Sequence, residues 1–400
     1  MHLIESYALN TGLKIKKPYV YETYAPIKHE GDYITFQPFG STDPKKYAYW
    51  DQVMSIIKPE LDKLNIGIVQ LGVPQEPHVE HTEDMRGNTS FNQAAYLIKR
   101  SLLHLGADSF GIHFASSYQK KIVSIYSTML PSHCGPYWSE NQDVICLNPP
   151  REKGEKPSYA AIEYPKSINK IKPEDIANSI FKLLDIDYRY PYKTLYVGEE
   201  FQAKKIEIIP TSHATNWKAF GVDSLIVRMD REFNEGNLIE QLRLCPCSLV
   251  SDKPINFEIF KAFKKKIVEY VHFIDDKTDV KYFHELKKIG VKPFLLTKMS
   301  GKKFNKIKLK YLDIANIITR PNSKKKDFED MLDDEEKGLE DLYYQSARLT
   351  IKGDSIYTNQ SEEDKGGAVT KFKDIEPRPI IDAPVFWEEL ASMTILRKTS

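Results

Sequence analysis

The stretch Gly106-Ala-Asp-Ser-Phe-Gly-Ile-His113 decides how the first half of the chain is read. It continues through Phe114-Ala-Ser-Ser-Tyr-Gln-Lys-Lys121 into Ile122-Val-Ser-Ile-Tyr126. The pattern is a strand end, a tight turn, a short helix and a new strand. Asp108, Ser109 and Gly111 tolerate a turn and leave backbone N–H groups free where a helix starts. A helix start built from small residues is suited to bind an anion. Asp108, Ser109 and His113 then fall at the carboxyl end of a buried strand, where open α/β sheets bind ligands. The same residues equally describe an ordinary capped βα turn, and their spacing alone does not choose.

Working outward, strands and helices alternate. Leu3, Ile4, Tyr7 and Ala8 fall at helical spacing, with Gly12 as a stop. Pro18 and Pro26 then keep the chain extended. Residues 33–37 read as a strand, 49–64 as a helix and 66–71 as a strand. A polar turn at 85–90 leads into a helix over 91–101, then come strands at 102–105, 122–126 and 144–147. A surface loop spans 149–165, and a helix with Pro173 in its first turn runs to Leu184. A second α/β pattern has strands at 224–228, 248–251, 269–274, 293–297 and 316–319. Its helices fall at 234–244, 255–265 and 280–289. Alternation at these lengths predicts parallel, doubly wound sheets. The expected organisation is a first Rossmann-like domain over 1–188 and a second over 189–322. Residues 323–400 are then an extension, with an acidic run, a mobile loop or hairpin at 353–367 and a docking helix at 384–390.

Composition narrows the classes. The 400 residues carry 57 basic and 56 acidic side chains, a net charge of +1, with 41% hydrophobic and 28% charged residues. This is a globular composition, and its balance argues against a strongly electrostatic nucleic-acid binder. No apolar run reaches membrane-span length and no signal peptide is evident, so a cytoplasmic protein is expected. Cys134, Cys146, Cys245 and Cys247 fit neither a zinc ribbon nor a redox pair and read as idle thiols. His78 and His81, beside Glu80 and Glu83, lack metal-ligand spacing and read as a solvated loop, so no metal site is expected. The basic run Lys302, Lys303, Lys306, Lys308 and Lys310 reads as the polar face of a helix. Its sharper reading is a groove for a phosphorylated or nucleic-acid partner.

Four pieces in order give residues 1–185 a resemblance to a known family. They are Gln37-Pro-Phe-Gly40 with Lys45-Lys-Tyr47, Leu71-Gly-Val-Pro-Gln-Glu76, Arg86-Gly-Asn-Thr-Ser90 and Asp108-Ser-Phe-Gly-Ile-His113. Together they resemble the nucleotide-sugar-binding half of the ADP-heptose–lipopolysaccharide heptosyltransferases, and hence the GT-B glycosyltransferases. Phe110 departs from the family pattern, which has glycine directly after the serine. The resemblance implies two Rossmann-like domains facing across a cleft, here in reversed chain order. It also implies transfer from a nucleotide-diphosphate sugar, inverting and independent of metal or other cofactor. On this likeness Gly40, Ser41, Lys45, Lys46, Glu76, Thr89, Asp108, Ser109, Phe110, Gly111, Ile112 and His113 meet the donor. The lysines and the helix start would hold the diphosphate, and Glu76 the ribose.

The second half matches no family motif. By analogy of position, Asp230, at the end of the strand 224–228 and near Arg231, Glu232 and Glu235, is the expected catalytic base, with His213 as runner-up. The expected acceptor is a glycan or lipopolysaccharide-type molecule. The alternatives are a hydroxymethyl-pyrimidine base in DNA, or a non-catalytic nucleotide-sugar-binding protein.

Overall fold

Residues 33–37 alternate in which side chains face each helical layer, yet all five are buried, as a central parallel strand requires. The computed structural model describes residues 1–211, 214–319, 323–332, 334, 336–367 and 376–399, and His213 lies outside them. The chain divides into two units, Met1–Tyr192 and Lys193–Thr399. The boundary falls four residues beyond the expected one, and residues from 323 onward fold within the second unit.

The first unit has strands β1 (Tyr33–Gln37), β2 (Gly67–Gln70), β3 (Glu83–Asp84), β4 (Leu103–Ala107), β5 (Lys121–Ile125) and β6 (Val144–Leu147). Its helices are α1 (Leu3–Thr11), α2 (Trp50–Lys63), α3 (Phe91–Arg100), α4 (Phe110–Ser117), α5 (Pro131–Cys134) and α6 (Pro173–Leu183). The sheet is parallel with order β3-β2-β1-β4-β5-β6, the doubly wound Rossmann order. Its two faces bury separate cores. Ile34, Phe36, Leu105 and Val123 pack with Val53, Ile57, Ile176 and Ile180 of α2 and α6. Tyr33, Val69 and Ile122 pack with Leu97, Ile98, Ile112 and Ala115 of α3 and α4. Each large aliphatic side chain so buried contributes about 1.5–3 kcal/mol. The strand order reverses between β1 and β4, so the loops leaving these two parallel strands diverge and open a crevice at their carboxyl ends.

The second unit contains β7 (Tyr192–Val197), β8 (Lys205–Ile209), β9 (Leu225–Arg228), β10 (Cys247–Ser251), β11 (Ile267–Phe273), β12 (Phe294–Thr297) and β13 (Ile317–Thr319). Then follow β14 (Leu342–Ser346), β15 (Arg348–Lys352), β16 (Ser355–Tyr357), β17 (Arg378–Pro379) and β18 (Met393–Lys398). Its helices are α7 (Glu235–Leu244), α8 (Phe257–Ala262), α9 (Val280–Lys288), α10 (Gly301–Lys310), α11 (Lys325–Glu329), α12 (Gln360–Asp364) and α13 (Pro384–Glu388).

The main sheet runs β13-β12-β11-β10-β9-β8-β15-β16. Its strands step in one direction from β8 to β13, so it winds differently from the first sheet. Only β16 is antiparallel, in a hairpin with β15. A second sheet, β17-β14-β18-β7, is built largely from the segment expected to be an extension. The expected docking helix is the short α13, whose Phe386 and Trp387 are buried with Phe328, Tyr344 and Ile395.

Candidate functional site

The crevice of the first sheet is built by residues that close strands. Gln37, the last residue of β1, places its amide between β1 and α4. Its Nε2 donates to Ser109 Oγ at 3.0 Å, and its Oε1 accepts from the Gly111 N–H at 3.1 Å. Ser109 therefore precedes α4 without capping it through its own side chain. Of the first-turn N–H groups that an α-helix leaves unpaired, that of Gly111 is already used, while that of Phe110 remains for a ligand.

Gly111 has a steric reason to be glycine. A Cβ there would lie 2.5 Å from His104 Nε2 and 2.6 Å from Gln37 Oε1. His104 is fully buried beneath it, bonded through Nδ1 to Thr35 Oγ1 at 3.0 Å. Burial lowers its pKa to about 3, so it is a neutral spacer.

Lys45 brings the cation. It ends a single 3-10 turn (Asp43–Lys45) after residues 38–42, a loop pinned where Trp50 Nε1 donates to the Pro38 carbonyl at 3.0 Å. Gly40 allows the return, since a Cβ there would stand 2.8 Å from Lys45 Cβ and Cδ. Lys45 Nζ donates to Asp108 Oδ2 at 2.7 Å and to the Asp108 carbonyl at 3.2 Å. An ammonium has three donors, so one remains. Cys134 Sγ also donates to Asp108 Oδ2 at 3.6 Å. Burial, with Asp108 beside it, pushes this thiol up to about 12 and keeps it protonated. His113, one turn into α4, is partly buried. Burial lowers its pKa, while Asp108 opposes that shift.

A neighbouring loop carries Glu76. Its Oε2 accepts from the Val73 N–H at 3.2 Å, and Gly72 gives it room, because a Cβ there would lie 2.1 Å from that oxygen. Burial raises its pKa, with Val73, Lys46 and Arg86 pulling the other way. Arg86 donates to the Glu76 carbonyl and pairs with Asp84, and Gly87 N–H donates to the Gly72 carbonyl at 2.8 Å, so the loops after β2 and β3 are knit together. Thr89 is half-buried just before Ser90, which caps α3 in a reciprocal box with Gln93. Ser41 and Lys46 are exposed.

Two expected donor-binding side chains face elsewhere. Phe110 stacks edge-on with Phe91 and Phe114 at 5.0 and 5.3 Å, bridging α3 and α4. Ile112 is fully buried in the α3–α4 core. Gln37 and Cys134 were not singled out from sequence as site residues. A glutamine closing a strand before Pro-x-Gly was the available signal for the first. Nothing local marks the second.

In the second unit Asp230 follows β9, as expected, but it belongs to an ion-pair cluster. Arg228 Nε and Nη2 take its two oxygens at 2.9 and 2.8 Å. Arg228 Nη1 also reaches Glu207 at 2.9 Å, and Arg348 holds the other Glu207 oxygen at 3.0 Å. Bidentate capture of both oxygens is the geometry of a structural pair rather than of a poised base. Glu389, 2% exposed, completes the group, and burial lifts its pKa to about 7.

The histidine loop is held by its own hydrogen bonds. Buried Gln70 accepts from Val79 N–H and Thr82 Oγ1 and donates to the Pro77 carbonyl, while His78 contacts Thr82. Cys245 and Cys247 are buried free thiols. Among the described residues no group of His, Cys, Asp or Glu is placed to hold a metal ion, and no helix is long and apolar enough to cross a membrane.

A parallel sheet in Rossmann order has a helix start, a lysine and an acid-bearing loop at its switch point, the place where open α/β sheets bind ligands. Residues 70–162, which contain the Glu76, Thr89 and Asp108–His113 loops, match the family model glycosyltransferase family 9 (heptosyltransferase). No curated protein matches the chain significantly. Among solved structures, a family 9 glycosyl transferase from Veillonella parvula is 17% identical over 45% of this chain and 50% of that one, with a TM-score of 0.33. The E. coli ADP-heptose lps heptosyltransferase II is 16% identical over 46% and 52%, with a TM-score of 0.32. The iron-containing dodecameric glycosyltransferase TibC of enterotoxigenic E. coli is 15% identical over 42% and 49%, also at 0.32. The chain spans about half the length of these structures.

Proposed function

We propose that this chain is a glycosyltransferase that binds a nucleotide-diphosphate sugar in the first unit. The observation that carries the reading is the convergence of Lys45, Ser109 and the α4 N-terminus on one crevice, with Ser109 and α4 inside the segment that matches the family 9 model. The departing diphosphate gathers negative charge. A lysine donor, the Ser109 hydroxyl and the Phe110 N–H are the groups that stabilise it. Glu76 lies on the adjoining loop, where a carboxylate accepts hydrogen bonds from ribose hydroxyls. Transfer is read as inverting and metal-independent, with the second unit supplying the acceptor side. A glycan or lipopolysaccharide-type acceptor follows from the family likeness. The lysines of α10 are exposed around the single buried Ile307, which supports a solvated helix face and gives a nucleic-acid acceptor no support.

The test is calorimetric titration of the full chain with ADP and with a panel of nucleotide-diphosphate sugars, alongside assays for transfer and hydrolysis. Lys45→Ala is expected to weaken nucleotide binding roughly 10- to 100-fold, the value of one hydrogen bond to a charged group. Binding with no turnover on any acceptor would favour the non-catalytic reading, and absence of nucleotide binding would overturn the proposal.

A further inference from the structure

The N-terminal arm carries an apolar surface that the fold does not use. It is fixed at both ends. At one, His2 Nε2 contacts the Gly135 carbonyl at 3.1 Å, and the Tyr137 hydroxyl donates to Glu5 at 3.2 Å. At the other, the Tyr118 hydroxyl donates to the Val20 carbonyl at 3.0 Å, Glu22 pairs with Lys99 and Arg100, and Thr23 N–H donates to the Asn92 carbonyl at 3.0 Å. Between these anchors nothing is buried. Tyr7, Leu9, Leu13, Tyr19 and Tyr21 are each at least two-thirds exposed, and Ile15 is exposed as well. α1 itself buries no residue. Folding gains nothing from leaving so much apolar surface in water, and a contiguous exposed patch marks an interaction site.

Charge identifies the occupant. Lys14, Lys16 and Lys17 are exposed among these apolar side chains, and none has an ion-pair partner among the described residues. No acid occurs between Glu5 and Glu22. A two-fold contact with a second copy sets like charges near each other. A nucleic acid makes no use of Leu9, Leu13 and Ile15. An anionic lipid surface takes both components. Tyrosine and aliphatic side chains enter the headgroup boundary, while lysines keep their charge at the phosphates.

We propose that residues 6–21 are a membrane-surface element that seats this protein on anionic lipid. The inference is independent of the transferase reading, because the arm lies outside the donor crevice and lipid binding requires no turnover.

The experiment is co-sedimentation of the full chain with vesicles of equal parts phosphatidylglycerol and phosphatidylcholine, and with vesicles of phosphatidylcholine alone. Binding is expected only to the anionic vesicles, weakening as salt is raised. Replacing Lys14, Lys16 and Lys17 by Gln is expected to lower partitioning roughly 100-fold, about fivefold per lysine at an anionic surface. Leu9→Ser with Leu13→Ser is expected to lower it further, without change in thermal unfolding, since neither side chain is buried. Equal binding to both vesicle types, or none to either, overturns the proposal. So does a concentration-dependent dimer that the leucine variant abolishes while vesicles remain unbound. Nucleotide titration of the lysine variant separates the two readings, because donor binding is expected to persist.

Discussion

At the ends of β1 and β4, Gln37, Lys45, Ser109 and Asp108 meet in a crevice with donors left over. On the β8–β9–β15 face, Glu207, Arg228, Asp230 and Arg348 meet with their charges used up on one another. Both regions sit on parallel sheets and both depend on charged side chains. They differ in saturation. In the first unit an ammonium and the Phe110 N–H keep unfilled capacity beside open loops. In the second, a guanidinium spends its donors on two carboxylates, and Arg228 is 4% exposed. A charged residue at a strand end is therefore a functional candidate only if its partners leave something over.

The largest expected effect tests the second region. Arg228→Met leaves Glu207 buried without one of its two cations and Asp230 without its partner. It should cost about 3–5 kcal/mol of unfolding free energy in urea, the range for breaking a buried pair. Nucleotide affinity of the refolded protein should be unchanged. A matching loss of nucleotide binding would break the contrast between the two regions.

Glu389 sharpens the comparison through pH. Its folded pKa, about 7, lies above the ordinary 4.5. The proton is held more tightly in the folded state, so this stabilising contribution is full below about 4.5 and is lost as pH rises through 7. Glu389→Gln should therefore raise stability at pH 8 by on the order of 3 kcal/mol, with the advantage shrinking toward pH 4.5. Paired thermal melts of the two proteins across that window decide it. An advantage independent of pH would remove Glu389 from the titrating cluster.

The smallest effect on stability belongs to the crevice. Gly111→Ala forces a methyl against His104 and Gln37, with an overpacking cost of about 1–3 kcal/mol. Because the strain falls at the start of α4, nucleotide affinity should drop more than the melting temperature suggests. Unaltered affinity would show that the α4 start is not an anion site.

Much of the first unit was legible in sequence, because its signals are local. Ser90 with Gln93 announces α3, the buried run 33–37 announces a central strand, and Asp108-Ser-x-Gly marks a strand-to-helix turn. The side-chain directions were not legible. Whether Phe110 faced a ligand or Phe91 depended on how α3 packs on α4, which no spacing encodes. The second unit was harder for a related reason. Lys205–Ile209 was not foreseen as a strand, since Glu207 interrupts its apolar run and is tolerated only through Arg228 and Arg348, remote in sequence. Residues 323–400 read as a charged extension with a docking helix for the same reason. Their strands are short, and apart from the β15–β16 hairpin each pairs with a segment distant in sequence.

The place of β15 beside β8 has a consequence for biosynthesis. Arg348 is in register with Lys205, about 140 residues earlier, and β18 pairs with β14 only when the last described residues are present. At roughly 5–20 residues per second, β8 waits on the order of 10–30 seconds on the ribosome with one edge unpaired. The first unit is complete by Tyr192 and has no such wait. The nascent chain therefore passes through a stage with a finished first unit followed by an open sheet, and that interval is when chaperone capture matters most for this protein.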